Sequence, residues 1–326
     1  MTRLTPALLL LCAATVLQAQ SPLTVAATVS ETDLVPEGIA WDPTSRSLFL
    51  SSTYRRKIVR IDWLGRATDF VREGQDGLWG VIGIKVDPVR GVLWAASSDA
   101  GMEMPIRTMR EEENGRSGVF KFQLSTGRLV KKYLMPSSGR HFLNDLVVTS
   151  GGDLYVTDSQ GRTIHRIALA ADTLELFVRV PHHPNGIDLT PDGRTLVVAL
   201  ESSIGTVDLH RRTVRVLVPP EGHRSEGGFD GLYAHPSGIV AVQPWDTGRV
   251  VVRFRLNGAR DRIVDSDVVV GEHVTLEQPT TAALVGNELF LVANSHLQSF
   301  RRLYQTRPDG PWPELQPATV LRASLR

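Results

Sequence analysis

Four side chains, Glu37, Asn144, Asn185 and Asp230, carry oxygen donors and each stands at the same point of a recurring phrase in the chain. The phrase Pro36 to Ser52 (PEGIAWDPTSRSLFLSS) returns in looser form from Val81, Leu143, Pro184, Phe229 and Pro279. At the corresponding point the other two copies have Ile82 and Thr280. Two carboxylates and two amides form an all-oxygen donor set of charge −2. Such a set suits a hard divalent cation, and the lack of His or Cys at these positions favours Ca2+ over Zn2+, with another divalent cation as the alternative. A cation with open coordination positions polarises a carbonyl, while a neighbouring carboxylate takes a proton from water. Asp230 is the first candidate for that base and Glu37 the second; direct attack by Asp230 on the substrate is the other route.

The elements that must position these residues follow from the repeat. Each copy reads as a short alternating strand, a polar Pro/Gly/Asp turn and a second strand dense in Leu, Val and aromatics, which is a β-hairpin signature. The six marked positions are separated by 45, 62, 41, 45 and 50 residues. Spacings near 40 to 50 fit a four-stranded propeller blade, so six copies predict an all-β, six-bladed β-propeller around a central channel. The long spacing traces to a polar insert, Asp99 to Ser117, read as a loop from blade two. Strand-like runs follow copies one to five, but little after copy six looks like strand. Leu23 to Ser30 (LTVAATVS) is therefore expected to complete the last blade. No ten-residue stretch keeps a clean helical period, so helices are expected to be rare.

In a propeller the first strand of each blade lines the channel, and residues at one phase of the repeat converge on a ring. The competing reading is that Asn-Gly and Asp-Gly are only hairpin turns. Each copy, however, already has its own turn, such as Thr190 to Arg194, and a second one five residues earlier would leave no room for the inner strand.

Residues 1–19 read as a secretory signal peptide, with Arg3 ahead of an apolar run, Ala7 to Leu17, too short to span a bilayer. The propeller is assigned to residues 20–326, in a secreted or periplasmic protein that does not insert into the membrane after cleavage. Cys12, the sole cysteine, leaves with the signal, so disulfides contribute nothing. The chain carries 36 Lys+Arg against 35 Asp+Glu, and loss of Arg3 brings the two into balance. No basic field exists to recruit nucleic acid. There is no G-x-S-x-G elbow and no G-x-G-x-x-G after a strand, which removes serine-hydrolase and dinucleotide readings.

The phrases PEGIAWDP, NDLVVTSGGDLYVTDS, PNGIDLTPDGRTL and FDGLYAHPSGIVAV resemble the SMP-30/gluconolactonase/LRE group, whose wider superfamily includes paraoxonases and the squid-type diisopropylfluorophosphatase. The resemblance runs from Val35 to Ser295. It implies that Glu37, Asn185 and Asp230 bind a catalytic Ca2+, that Asn144 binds the metal or the substrate, and that Asp145 lies beneath the metal. Ile82 stands where paraoxonases carry a His, and Phe142 where sugar lactonases tend to carry an Arg. The implied activity is hydrolysis of a small ester, most naturally a lactone. A phosphotriesterase or arylesterase of the same superfamily is the alternative, and a ligand-binding propeller with structural Ca2+ is the non-enzymatic one. His141, His182, His183, Arg107 and Trp245 are candidates for the substrate pocket. For the histidines, exposed loop positions without a role are the simpler reading, and for Trp245, packing.

Overall fold

The computed structural model describes residues 23–108, 110–219, 227–244, 248 and 250–326. The expected signal peptide, residues 1–19, lies outside them. Six four-stranded antiparallel sheets form the blades of a β-propeller. The inner strands are Pro36–Asp42, Gly80–Asp87, Leu143–Val148, Pro184–Leu189, Leu232–His235 and Ala282–Val285. In blades one to five the four strands follow one another in sequence from the channel outward.

Blade six is closed by both ends of the chain. Its third strand is Ala318–Ser324, and its outermost strand is Thr24–Val29, paired antiparallel with Val29 opposite Ala318 and Val25 opposite Leu321. The N-terminal closure agrees with expectation, but the stretch after copy six holds more structure than expected. Residues 293–317, between the second and third strands, include the one α-helix among the described residues, Leu297–Thr306. Leu297, Phe300, Leu303 and Tyr304 lie on one face of it, against Tyr54, Trp312 and Leu315. This is a helical period cut short by the Pro-rich run that follows.

The hydrophobic interior is divided among the blade interfaces. Between blades one and two, Phe49, Ile58 and Val71 meet Ile84, Leu93, Phe120 and Phe122. Between blades six and one, Ala27, Val292 and Val320 meet Leu48, Leu50 and Ile61. Each blade is a wedge whose two faces are both apolar, which is why the second strands read as nearly continuous runs of Leu, Val and Ala rather than alternating ones.

Loops that join a second strand to a third, or one blade to the next, open on the face where the inner strands begin. The blade-two insert, residues 99–116, therefore rises on the same face as the helix, and Arg301 of the helix reaches Glu103 of the insert at 2.7 Å. The insert contains two short 3-10 turns, Gly101–Glu103 and Glu111–Glu113, and ends one residue before its expected limit because Ser117 begins the third strand.

Candidate metal and active site at the channel mouth

The marked residues sit where the inner strands depart from regular pairing. Register slips between Pro36 and Ile39, Val81 and Ile84, Leu143 and Leu146, and Pro184 and Ile187. The two bulged residues in these gaps are Glu37-Gly38, Ile82-Gly83, Asn144-Asp145 and Asn185-Gly186. A bulge re-aims a side chain that would otherwise alternate between the sheet faces. Asp230 and Thr280 stand just ahead of the shorter inner strands of blades five and six.

Neighbouring blades touch at these positions. Gly186 N donates to the Asp230 carbonyl at 3.0 Å, and Gly231 N to the Thr280 carbonyl at 3.1 Å. A Cβ on Gly186 would lie 2.4 Å from the Asp230 carbonyl oxygen, and one on Gly38 would lie 2.3 Å from that of Ile82. The glycine that marks the repeat is thus the place where the next blade's backbone passes. Hydroxyls complete the contacts: Ser51 Oγ donates to the Ile82 carbonyl at 2.7 Å, Thr157 Oγ1 to that of Asn185 at 2.9 Å, and Thr280 Oγ1 to that of Glu37 at 2.9 Å. Thr280 therefore fastens the ring through its side chain, and Ile82 is fully buried.

The ring oxygens are desolvated and in part unsatisfied. Glu37 is 4 % exposed and Asn144 7 %. Asn185 and Asp230 keep a partly open edge. Glu37 Oε2, Asn185 Oδ1 and Asp230 Oδ1 are buried with no hydrogen-bond partner. Three orphaned acceptors from three blades are costly unless something positive meets them. Asn144 is oriented from behind: its Nδ2 donates to Ser159 Oγ at 3.1 Å, and Ser159 Oγ donates onward to the Pro184 carbonyl at 2.5 Å. The amide oxygen is the end left for a ligand.

Burial, and after it the charges of Asp230 and Asp145, hold the Glu37 carboxyl well above the usual carboxylate range. Burial and then the charge of Asp145 push Asp230 up to about 7, against a hydrogen bond from the Asn185 side chain. Asp145 is itself raised to about 6, by burial first. Its carboxylate accepts Ile187 N at 3.1 Å and Leu146 N at 2.8 Å, so it spans blades three and four next to the ring. Mutual repulsion of three acids in a low-dielectric site is the electrostatic signature of a place suited to a cation. Among the described residues no three His, Cys, Asp or Glu side chains form a metal cluster by themselves, since half of this ring's donors are amides.

The pocket candidates fare differently. His141 lies three residues ahead of Asn144, with Nδ1 2.6 Å from Asp158 Oδ2. Asp158 and Ser159 therefore hold His141 and Asn144 by adjacent side chains. Arg107 is tied to Glu73 at 3.0 Å, and His182 and His183 flank Glu201 at 3.7 and 4.0 Å on the surface. Neither Arg107 nor His183 has a hydrogen bond or ion pair to a ring residue. Trp245 lies outside the described residues. Thr281 Oγ1 also donates to the Glu37 carbonyl, at 2.5 Å. Ser159, Thr157 and Thr281 were not legible in the sequence, because single hydroxyls at strand ends carry no periodic signal.

The chain matches the SMP-30/gluconolactonase/LRE-like region over residues 35–289. It belongs to that family. Among solved structures, a calcium-binding regucalcin from Agrobacterium tumefaciens str. C58 is similar at 18% identity, with a TM-score of 0.62, over 93% of this chain and 96% of that one. A luciferin-regenerating enzyme is similar at 13% identity and TM-score 0.59, over 91% and 95% of the two chains. A nidogen/laminin complex also matches, at 13% identity and TM-score 0.57, over 80% of this family member and 97% of that chain. At these identities the likeness is one of fold. No match is found among curated protein sequences.

Proposed function

We propose that this family member is a secreted or periplasmic, Ca2+-dependent hydrolase of a small ester, most naturally a lactone. The observation that carries the reading is the set of three partnerless, buried oxygens on Glu37, Asn185 and Asp230, from blades one, four and five. With Asn144 they offer the hard, all-oxygen donor set that suits Ca2+, and the number of protein donors leaves room for substrate and water. Likeness of fold to a calcium-binding regucalcin is consistent with this choice of ion.

A bound Ca2+ would supply Lewis-acid polarisation of the ester carbonyl. Asp230 accepts the proton of the attacking water, a role open to a carboxylate that stands beside the cation. Glu37 contributes the second negative charge, and Asn144 and Asn185 fix orientation through amide oxygens. Asp145 raises the basicity of Asp230 from beside it. His141, held by Asp158, borders the mouth next to Asn144.

The test is a panel of lactones, aryl esters and phosphotriesters assayed with EDTA and with added Ca2+. Ca2+-dependent turnover of lactones is the expected result. Turnover only of aryl esters or phosphotriesters would reassign the substrate. No turnover in any class, with Ca2+ raising only thermal stability, would make the propeller a binding scaffold, since a fold does not fix a function.

A further inference from the structure

The face opposite the channel mouth carries a cleft of about 300 Å³ between blades six and one. Its apolar lining comes from Trp41, Leu48 and Ile61 of blade one and Phe290 of blade six, with Trp41 stacked parallel to Phe290 at 6.0 Å and 2°. Trp63, at the tip of the hairpin between the third and fourth strands of blade one, stands at the rim and is 70% exposed. An exposed Trp beside an aromatic cleft leaves a large π-face without a protein partner.

The charged groups of the rim are not equivalent. Arg322 is paired with Glu288 at 2.7 Å, and Asp62 is paired with Arg66 at 3.1 Å. Arg46, on the turn between the first two strands of blade one, stands exposed at the rim of the cleft and makes no hydrogen bond or ion pair with another described residue. A guanidinium presents a planar fork of donors that matches a carboxylate in two-point fashion. A cleft with aromatic and aliphatic walls and a few polar groups at its rim, of which Arg46 alone has no ion pair among the described residues, is a usual composition of a small-molecule site.

We infer that this cleft is a second binding site, separate from the channel mouth, for a small planar aromatic carboxylate whose ring lies against Trp41 and Trp63 and whose carboxylate meets Arg46. A polyhydroxylated ligand fits less well, because hydroxyls placed against Leu48, Ile61 and Phe290 would find no partner. The inference does not depend on the proposed hydrolysis.

The probe is 2-naphthoate, titrated into the full protein by calorimetry. Binding is expected with a dissociation constant below about 1 mM. Arg46→Gln and Trp63→Ala, both at surface positions, should each weaken it by roughly tenfold or more, and 2-naphthol should bind correspondingly less well than 2-naphthoate. Asp230→Asn should retain the wild-type affinity, which separates this cleft from the ring. Absence of binding, equal affinity in Arg46→Gln and Trp63→Ala, or loss of binding in Asp230→Asn would each overturn the assignment.

Discussion

Asp230 is suspended from the neighbouring blade: Gly186, the residue after ring donor Asn185, donates its N–H to the Asp230 carbonyl at 3.0 Å. Two of the proposed ligands are thereby set relative to one another by backbone. The spacing of their backbones is a property of how blades four and five abut.

Gly186→Ala tests this coupling. The added methyl would lie 2.4 Å from the Asp230 carbonyl oxygen and 2.5 Å from Leu232 N, both backbone atoms that must shift together. The expected outcome is a loss of Ca2+ affinity and of turnover by at least about 10²-fold, the scale on which small misplacements act. Calorimetric Ca2+ titration of the folded variant gives the answer; unchanged affinity would mean that the backbone contact does not set the site.

Asp230→Asn keeps size and a coordinating oxygen while removing the proton acceptor. Saturating Ca2+ should restore its thermal stability by mass action. Turnover should remain lower by about 10²- to 10⁴-fold, as for a lost general base. Full recovery of turnover in excess Ca2+ would remove Asp230 from proton transfer and leave it only a ligand.

The acid cluster gives a pH signature to the metal-free protein. Asp145 at about 6 and Asp230 at about 7 are both raised above their unfolded values of about 4. For carboxyls shifted upward, the contribution to stability is complete below the unfolded value and is lost as pH rises through the folded one. In EDTA, melting temperature should therefore fall between about pH 4 and 7 by more than it does in saturating Ca2+. Parallel pH profiles with and without Ca2+ would show that the ring carboxylates do not share a cation.

Ser159→Ala should act through orientation alone. It removes the hydroxyl that holds Asn144 Nδ2 and ties it to the Pro184 carbonyl. A weaker Ca2+ affinity or a raised KM is expected, with the fold kept and stability reduced by about 1 to 3 kcal/mol for the two lost hydrogen bonds. Ser159→Thr, which keeps the hydroxyl, should restore binding; failure to do so would point to packing rather than hydrogen bonding.

Six blades and the phase of the ring were legible in the sequence because both follow from a repeat, and a repeat places equivalent residues in equivalent surroundings. Glu37, Asn144, Asn185 and Asp230 could be selected as a group without any knowledge of distances. The bulges that aim them were not legible, since a two-residue slip such as Asn144-Asp145 leaves no trace in hydropathy. Leu297–Thr306 and Ala318–Ser324 escaped for a related reason: they occur once, in blade six, and have no copies elsewhere to be compared with. Arg107, a pocket candidate inside the polar insert, pairs with Glu73, a contact between two loops that no repeat announces.

The pairing of Thr24–Val29 with Ala318–Ser324 has a kinetic meaning. Glu37 follows the first of these strands by a few residues, while Asp230 waits nearly two hundred positions downstream. A nascent chain therefore carries the first of the proposed ligands from the outset but cannot fix that residue's blade against blade six until Ala318–Ser324 has emerged. Cation capture is thus expected to be a late event, coincident with the joining of the two termini. Until that moment Ala318–Ser324 lacks one neighbour and offers an open edge to other chains, which makes the last step of folding also the one most exposed to aggregation.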